Sequence, residues 1–343
     1  MDFLMRDLRK ILVIGSNSFS GSNFVLKALR SGFKVMGISR SAEPPKVFLP
    51  YKWKNNKFKT DIYEEFLFRQ LDLNNDLNEI IKNLDSFKPD YVVNFAAQGM
   101  VAESWLNPTH WYKTNLLSQV SFHDELRKRY FLKKYVHVTT PEVYGSTDTG
   151  WISEQQQFSP STPYAVSRAA CDMHLKTFHQ AYNFPVVFTR AANVYGPGQQ
   201  LYRIIPRTIL SALSGKEMNL HGGGVSVRSF IHIDDVVEAT LKLTLEGQPG
   251  STWHLSTKEE ISIKKLVEKI CLLCNVEFDK IVKVTDERLG KDQSYLLDSS
   301  SMRKHFGWID NIDLNTGIKE TISWVEDNYD LLCELPWNYN HKL

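Results

Sequence analysis

Five short apolar runs, Lys10 to Ile14, Lys34 to Ile38, Tyr91 to Ala96, Tyr135 to Thr139 and Pro185 to Thr189, follow one another along the chain, each separated from the next by enough residues for a crossover helix. Strands joined through helices re-enter a sheet pointing the same way, so the alternation predicts an α/β fold on a doubly wound parallel sheet. Phe24, Val25, Ala28 and Leu29 share one helical face that ends near Gly32. Two long helices are read over 111–130 and 161–182, the second opened by the cap and early proline of Ser161-Thr162-Pro163. After residue 190 the pattern turns irregular, with Gly196-Pro197-Gly198 and Gly222-Gly223-Gly224 loops between short elements. The expected organisation is a sheet domain over 1–190 and a smaller C-terminal α/β substrate-binding portion over 191–343, partly interleaved with the first and facing it across a cleft.

Composition narrows the function classes. With 343 residues, 42% of them hydrophobic, the chain can bury a large core. Its 41 basic and 39 acidic residues are spread evenly and leave a net charge of +2, so nucleic acid is not an expected partner. No window approaches the roughly 20 apolar residues of a membrane span, and no signal-like stretch follows the first charges; a cytoplasmic location without membrane contact is expected. Four cysteines do not make a disulfide framework, and Cys271-x-x-Cys274 lacks a second pair at ligand spacing, so no metal is expected.

The first strand runs into Gly15-Ser16-Asn17-Ser18-Phe19-Ser20-Gly21, a loop of the type that lets backbone approach a pyrophosphate at a helix N-terminus. Ser18 stands where a middle glycine is usual, and small residues on either side keep the loop narrow. The sheet is therefore expected to be Rossmann-type. A dinucleotide lacking the ribose phosphate is commonly held by an acid at the end of the second strand, and this chain has Ser39 there, followed by Arg40. That favours NADP, with NAD as the alternative and a solvated arginine as the competing reading. Asp72, in Gln70-Leu71-Asp72-Leu73, is a candidate for the adenine edge or a cap for the next helix.

Further along, Thr140-Pro141-Glu142-Val143-Tyr144-Gly145 and Tyr164-Ala165-Val166-Ser167-Arg168 supply a hydroxyl, a carboxylate, and a phenol with a cation one helical turn away. These are the parts of a proton-transfer and hydride-transfer site. With Asn94-Phe95-Ala96-Ala97-Gln98, Asn115, Arg190-Ala191-Ala192-Asn193-Val194-Tyr195-Gly196-Pro197, the segment from Arg228 to Asp235, and Arg288-x-Gly290-x-Asp292-x-x-Tyr295-x-x-Asp298, they stand in an order that resembles the extended short-chain dehydrogenase/reductases. Within them the chain looks like the nucleotide-sugar 4,6-dehydratases acting on dTDP-glucose or GDP-mannose.

The resemblance implies a lyase that oxidises the sugar at C4, eliminates water across C5 and C6, and returns hydride to C6. Tyr164 matches the base at the C4 hydroxyl, Thr140 the hydrogen-bond partner of the C4 oxygen, and Glu142 the base at C5. Arg168 stands where relatives have a lysine that steadies the phenolate and the nicotinamide ribose. Pro141 stands where the dTDP-glucose enzymes have an acidic aspartate, which leaves Glu142 to act as base and then acid, as in the GDP-mannose type. Ala96, Ala97, Gln98 and Asn115 match cofactor-side positions; Asn193, Arg203, Arg228 and Arg288 are candidates for the sugar nucleotide. A homodimer through a four-helix interface is implied. C4 epimerisation, decarboxylation of a uronic acid, and a catalytically impaired sugar-nucleotide binding protein remain as alternatives.

Overall fold

The structure, a computed structural model, describes residues 9–53, 65–146, 150–287 and 294–342. Its centre is a parallel sheet of seven strands: β1 (Lys10–Ile14), β2 (Lys34–Ser39), β3 (Phe66–Gln70), β4 (Tyr91–Asn94), β5 (Lys134–Val138), β6 (Val186–Ala191) and β7 (Thr252–Leu255). Their spatial order is β7-β6-β5-β4-β1-β2-β3. The order reverses at β1, whose two neighbours are β2 and β4, and such a switch point opens a crevice at the strand carboxyl ends.

Alternation along β1 shows how the sheet is covered. Ile11 and Val13 pack on one face with Phe24, Val25, Ala28 and Leu29 of α1 (Phe19–Arg30). Leu12 and Ile14 pack on the other, with Ile80 and Leu84 of α2 (Leu77–Phe87), Phe122 of α4 (Ser118–Leu126) and Leu175 of α5 (Pro163–Tyr182). Each such side chain contributes roughly 1.5–3 kcal/mol of burial, which is why strands apolar at every position end up between two helix layers. Helix α7 (Ile233–Glu246) completes the α1 layer through Ile233, Val237 and Leu241, although it lies far along the chain. The edge strand β7 pairs with β6 in the same way, from Thr252↔Phe188 to Leu255↔Ala191. The sheet thus draws on residues beyond 190.

The stretch read as one helix over 111–130 is three pieces. Helix α3 (Pro108–Tyr112) passes through a π turn at Lys113–Leu117 into α4. The wide turn seats Asn115 against the sheet, where its side chain accepts from the Gln98 amide at 2.8 Å and donates to the Gln98 carbonyl and Ser167 Oγ. An extra residue in a turn leaves the apolar periodicity nearly unchanged, so only the structure reveals it.

The remaining chain forms a smaller lobe of mixed two-stranded pairs around a third core, to which α6 (Ile204–Ser214) contributes Ile205, Ile209 and Leu210. Val227–Arg228 runs antiparallel to Ile261–Ser262, Phe230–His232 parallel to Asn193–Tyr195, and Leu296–Leu297 parallel to Trp151–Ile152. His232 is buried and caps α7, accepting from the Asp234 amide. Asp235 sits inside the helix and accepts from the Asn311 and Ile312 amides, tying a distant loop to α7. Cys271 is a buried thiol of α8 (Ile263–Leu273), and Cys274 follows its end.

Candidate active site

Between the lobes lies a cleft of about 1120 Å³. A pocket for one small ligand is typically about 300–1,000 Å³, so there is room for a dinucleotide and a second ligand together.

Its floor is the start of α1. Ser18 is the N-cap: its Oγ accepts from the Gly21 amide at 3.1 Å and donates to the Gly15 carbonyl at 2.7 Å. The hydroxyl therefore turns into the loop and stabilises the tight turn. Gly15 has φ +80°, and a Cβ there would lie 2.7 Å from the Ala96 nitrogen, so the close strand approach requires glycine. Gly21 packs behind the turn, while Ser18, Phe19 and Ser20 line the cleft. An anion fits this helix N-terminus without further help.

Around the floor, Arg40, Ala97 and Gln98 also line the cleft. Ser39 does not; its Oγ accepts from the Asn17 amide at 3.0 Å and so belongs to the loop's scaffold. Asp72 holds its own turn, accepting from the Asn74 amide and the Asn75 side chain, and Leu73 is in the core. Ala96 and Asn115 stand behind the wall, the former donating its amide to Asn94 Oδ1.

The reactive wall comes from the turn after β5 and from α5. Thr140 caps a short 3₁₀ turn, Pro141–Tyr144, accepting from the Glu142 amide at 3.3 Å. Pro141 occupies the first position of that turn, where a missing N–H leaves nothing unsatisfied. Gly145 closes it at φ +71°, and a Cβ there would run into the Ser159 carbonyl. The turn presents Thr140 and Glu142 to the cleft, beside Tyr164 and Arg168 of α5. Tyr144 is buried, its hydroxyl 2.8 Å from His254 Nε2, and belongs to the packing.

Burial pushes the Tyr164 phenol up to about 12; the Glu142 charge adds to this, while Arg168, the hydrogen bond with Thr140, and Arg203 oppose it. These groups therefore share one electrostatic site. Arg168 is 2% exposed. Its Nη2 donates to the Val138 carbonyl and lies 3.5 Å from His137 Nε2. Its Nε and Nη1 are buried without a partner among the described residues. A buried guanidinium with open donors beside the nucleotide floor fits the hydroxyl acceptors of a dinucleotide ribose. Behind it, Asp172 accepts from Arg190 at 2.7 Å and Thr139 at 3.0 Å. His123, His137 and Cys171 bring ligand atoms within 4.8 Å of one another in this region. The guanidinium against His137 opposes a cation there.

Asn193, Arg203 and Arg228 line the opposite side of the cleft, as does Arg207. Arg288 lies outside the described residues. Two groups escaped the sequence reading of this wall. Tyr295, read only as part of a phosphate motif, donates its hydroxyl to Glu142 Oε1 at 3.3 Å. The C-terminal segment crosses from one lobe to the other. Arg207 donates to the Trp337 carbonyl, Tyr339 packs edge-on to Tyr202, and His341 stacks on His110 and Trp111. The Lys342 carbonyl accepts from both Gln98 and Arg40.

A family model described as GDP-mannose 4,6 dehydratase matches residues 12–321. The dTDP-glucose 4,6-dehydratase of Xanthomonas campestris is 29% identical over 336 residues, 92% of this chain and 93% of that one. A trifunctional UDP-glucose 4,6-dehydratase, 3,5-epimerase and reductase of Arabidopsis thaliana is 32% identical over 242 residues. The chain spans only 36% of the length of that protein and 47% of a second of the same kind. Among solved structures, DesIV, a dTDP-glucose 4,6-dehydratase from Streptomyces venezuelae with NAD and TYD bound, superposes with a TM-score of 0.85 at 25% identity, covering 94% of this chain and 98% of that one. The dTDP-glucose 4,6-dehydratase of Bacillus anthracis in complex with NAD gives 0.82 at 27%, with the same coverage of both chains.

Proposed function

The chain belongs to the nucleotide-sugar 4,6-dehydratase family of extended short-chain dehydrogenase/reductases, and from that premise we propose that it converts a sugar nucleotide to its 4-keto-6-deoxy form. The observation that carries the reading is a carboxylate, Glu142, in the same wall as Tyr164, close enough for its charge to raise the phenol. Simple C4 epimerisation has no need of that carboxylate.

The nicotinamide dinucleotide, when bound, takes hydride from C4 and returns it to C6. The protein handles the protons. Tyr164, steadied by Thr140 and the Arg168 charge, removes the proton of the C4 hydroxyl; the resulting ketone acidifies C5. Glu142 takes the C5 proton and then gives a proton to the C6 hydroxyl as it leaves, because Pro141 has none to give. Arg203 and Arg228 offer guanidinium forks to the diphosphate, with Asn193 beside them. On the cofactor side, Arg40 in the cleft next to the neutral Ser39 supports NADP over NAD. The exposed apolar side chains Leu106, Leu117, Val166 and Met173, on α5 and the segments around α3, support a homodimer through these helices. The free thiols accord with the cytoplasm.

Mass spectrometry of GDP-mannose, dTDP-glucose, UDP-glucose and UDP-N-acetylglucosamine after incubation with the protein, with NADP and NAD in separate reactions, tests this. Loss of one water from one of them is expected, and Glu142→Gln abolishes it. Isomerisation without water loss, or release of carbon dioxide from a uronic acid, would replace the dehydratase reading.

A further inference from the structure

Tyr295 reaches Glu142 from a remote part of the chain, and two pairings fix its place. Ser294 bridges to Val227, and Leu296–Leu297 pairs with Trp151–Ile152. The ring is nearly buried, at 7% exposure, with the Arg228 guanidinium 4.3 Å above its centroid. Its hydroxyl donates to Glu142 Oε1. A cation over the face of a phenol draws electron density from the ring and strengthens its O–H as a donor. The last torsion of a glutamate is broad, and a hydrogen bond to one oxygen restricts the plane of the carboxylate.

We propose that Tyr295 is a positioning residue for the elimination step, holding Glu142 oriented for removal of the C5 proton. The proposal rests on the dehydratase reading. It assigns Tyr295 no part in oxidation at C4, which belongs to Tyr164 and Thr140. It also separates the phenol from the neighbouring arginines: they face the diphosphate, whereas the hydroxyl serves the carboxylate.

Tyr295→Phe keeps the ring under Arg228 and removes only the donor. Reduced dinucleotide is expected to form on substrate addition at the wild-type rate, while water loss slows by roughly 10- to 100-fold with KM within about threefold. A hydrogen bond to a charged form favours that form, so the acid limb of kcat is expected to move to higher pH by roughly half a unit to one unit. In a Glu142→Asp background, which keeps a carboxylate but withdraws it from the phenol, the same change is expected to add nothing, since the two act as a unit. Unchanged water loss in Tyr295→Phe, or an equal fall in the oxidation step, overturns the proposal and leaves the dehydratase standing. No water loss by the wild type on any sugar nucleotide overturns both.

Discussion

Arg168 retains a positive charge beside Tyr164, but a guanidinium is too long and flat to sit as an ammonium would. The structure accommodates it by turning Nη2 back to the Val138 carbonyl, against His137. Asp172 Oδ1 lies 3.5 Å from the same imidazole nitrogen, but the guanidinium against it disfavours a charged ring. Two unit charges 3.5 Å apart repel by about 5 kcal/mol at an effective dielectric of about 20. Burial, then the Arg168 charge, holds His137 well below the usual histidine range. Burial does the same for His123, and for His254, which falls to about 3. Unfolding exposes all three to water, where they bind protons below about pH 6.5. The unfolded state then carries more protons, so stability falls as the pH is lowered, by up to about 1.4 kcal/mol per unit for each histidine. Urea unfolding midpoints are expected to drop between pH 6.5 and 5, before carboxylates protonate. A flat midpoint across that window would show that these rings do not stay neutral.

At the level of elements, the opening strand, turn and helix were legible because apolar runs and a small-residue loop encode them locally. Ser18 illustrates the limit: its substitution for glycine was visible, but the sequence did not reveal that its hydroxyl caps α1. Ser18→Ala is expected to cost about 1 kcal/mol in chemical denaturation and Ser18→Gly only a few tenths; equal losses would mean that the cap is not the source. Thr140, Glu142, Tyr164 and Arg168 line one cleft, from the turn after β5 and the face of α5; spacing related the residues within each segment, and only the resemblance joined the two segments. Strand β7 was not, because Thr252–Leu255 mixes polar and apolar residues and its place beside β6 is set by tertiary packing. Tyr295 and Glu142, 153 positions apart, meet through pairings that no local pattern records.

At the scale of the molecule, residues 337–342 bridge the cleft from one lobe to the other. Trp337 is tied to the small lobe through Arg207, and Lys342 to the sheet lobe through Gln98 and Arg40. Opening the cleft breaks these contacts. Deleting residues 337–343 is expected to speed release of bound dinucleotide about tenfold, as the loss of one or two hydrogen bonds would; stopped-flow displacement measures it, and an unchanged rate would mean that the segment does not restrain the cofactor. The same arrangement bears on how the protein is handled at the bench. Because the Lys342 carbonyl sits against Gln98 and Arg40, a carboxy-terminal affinity tag would be tethered at the mouth of the cleft and compete with the ligand it was meant to help study.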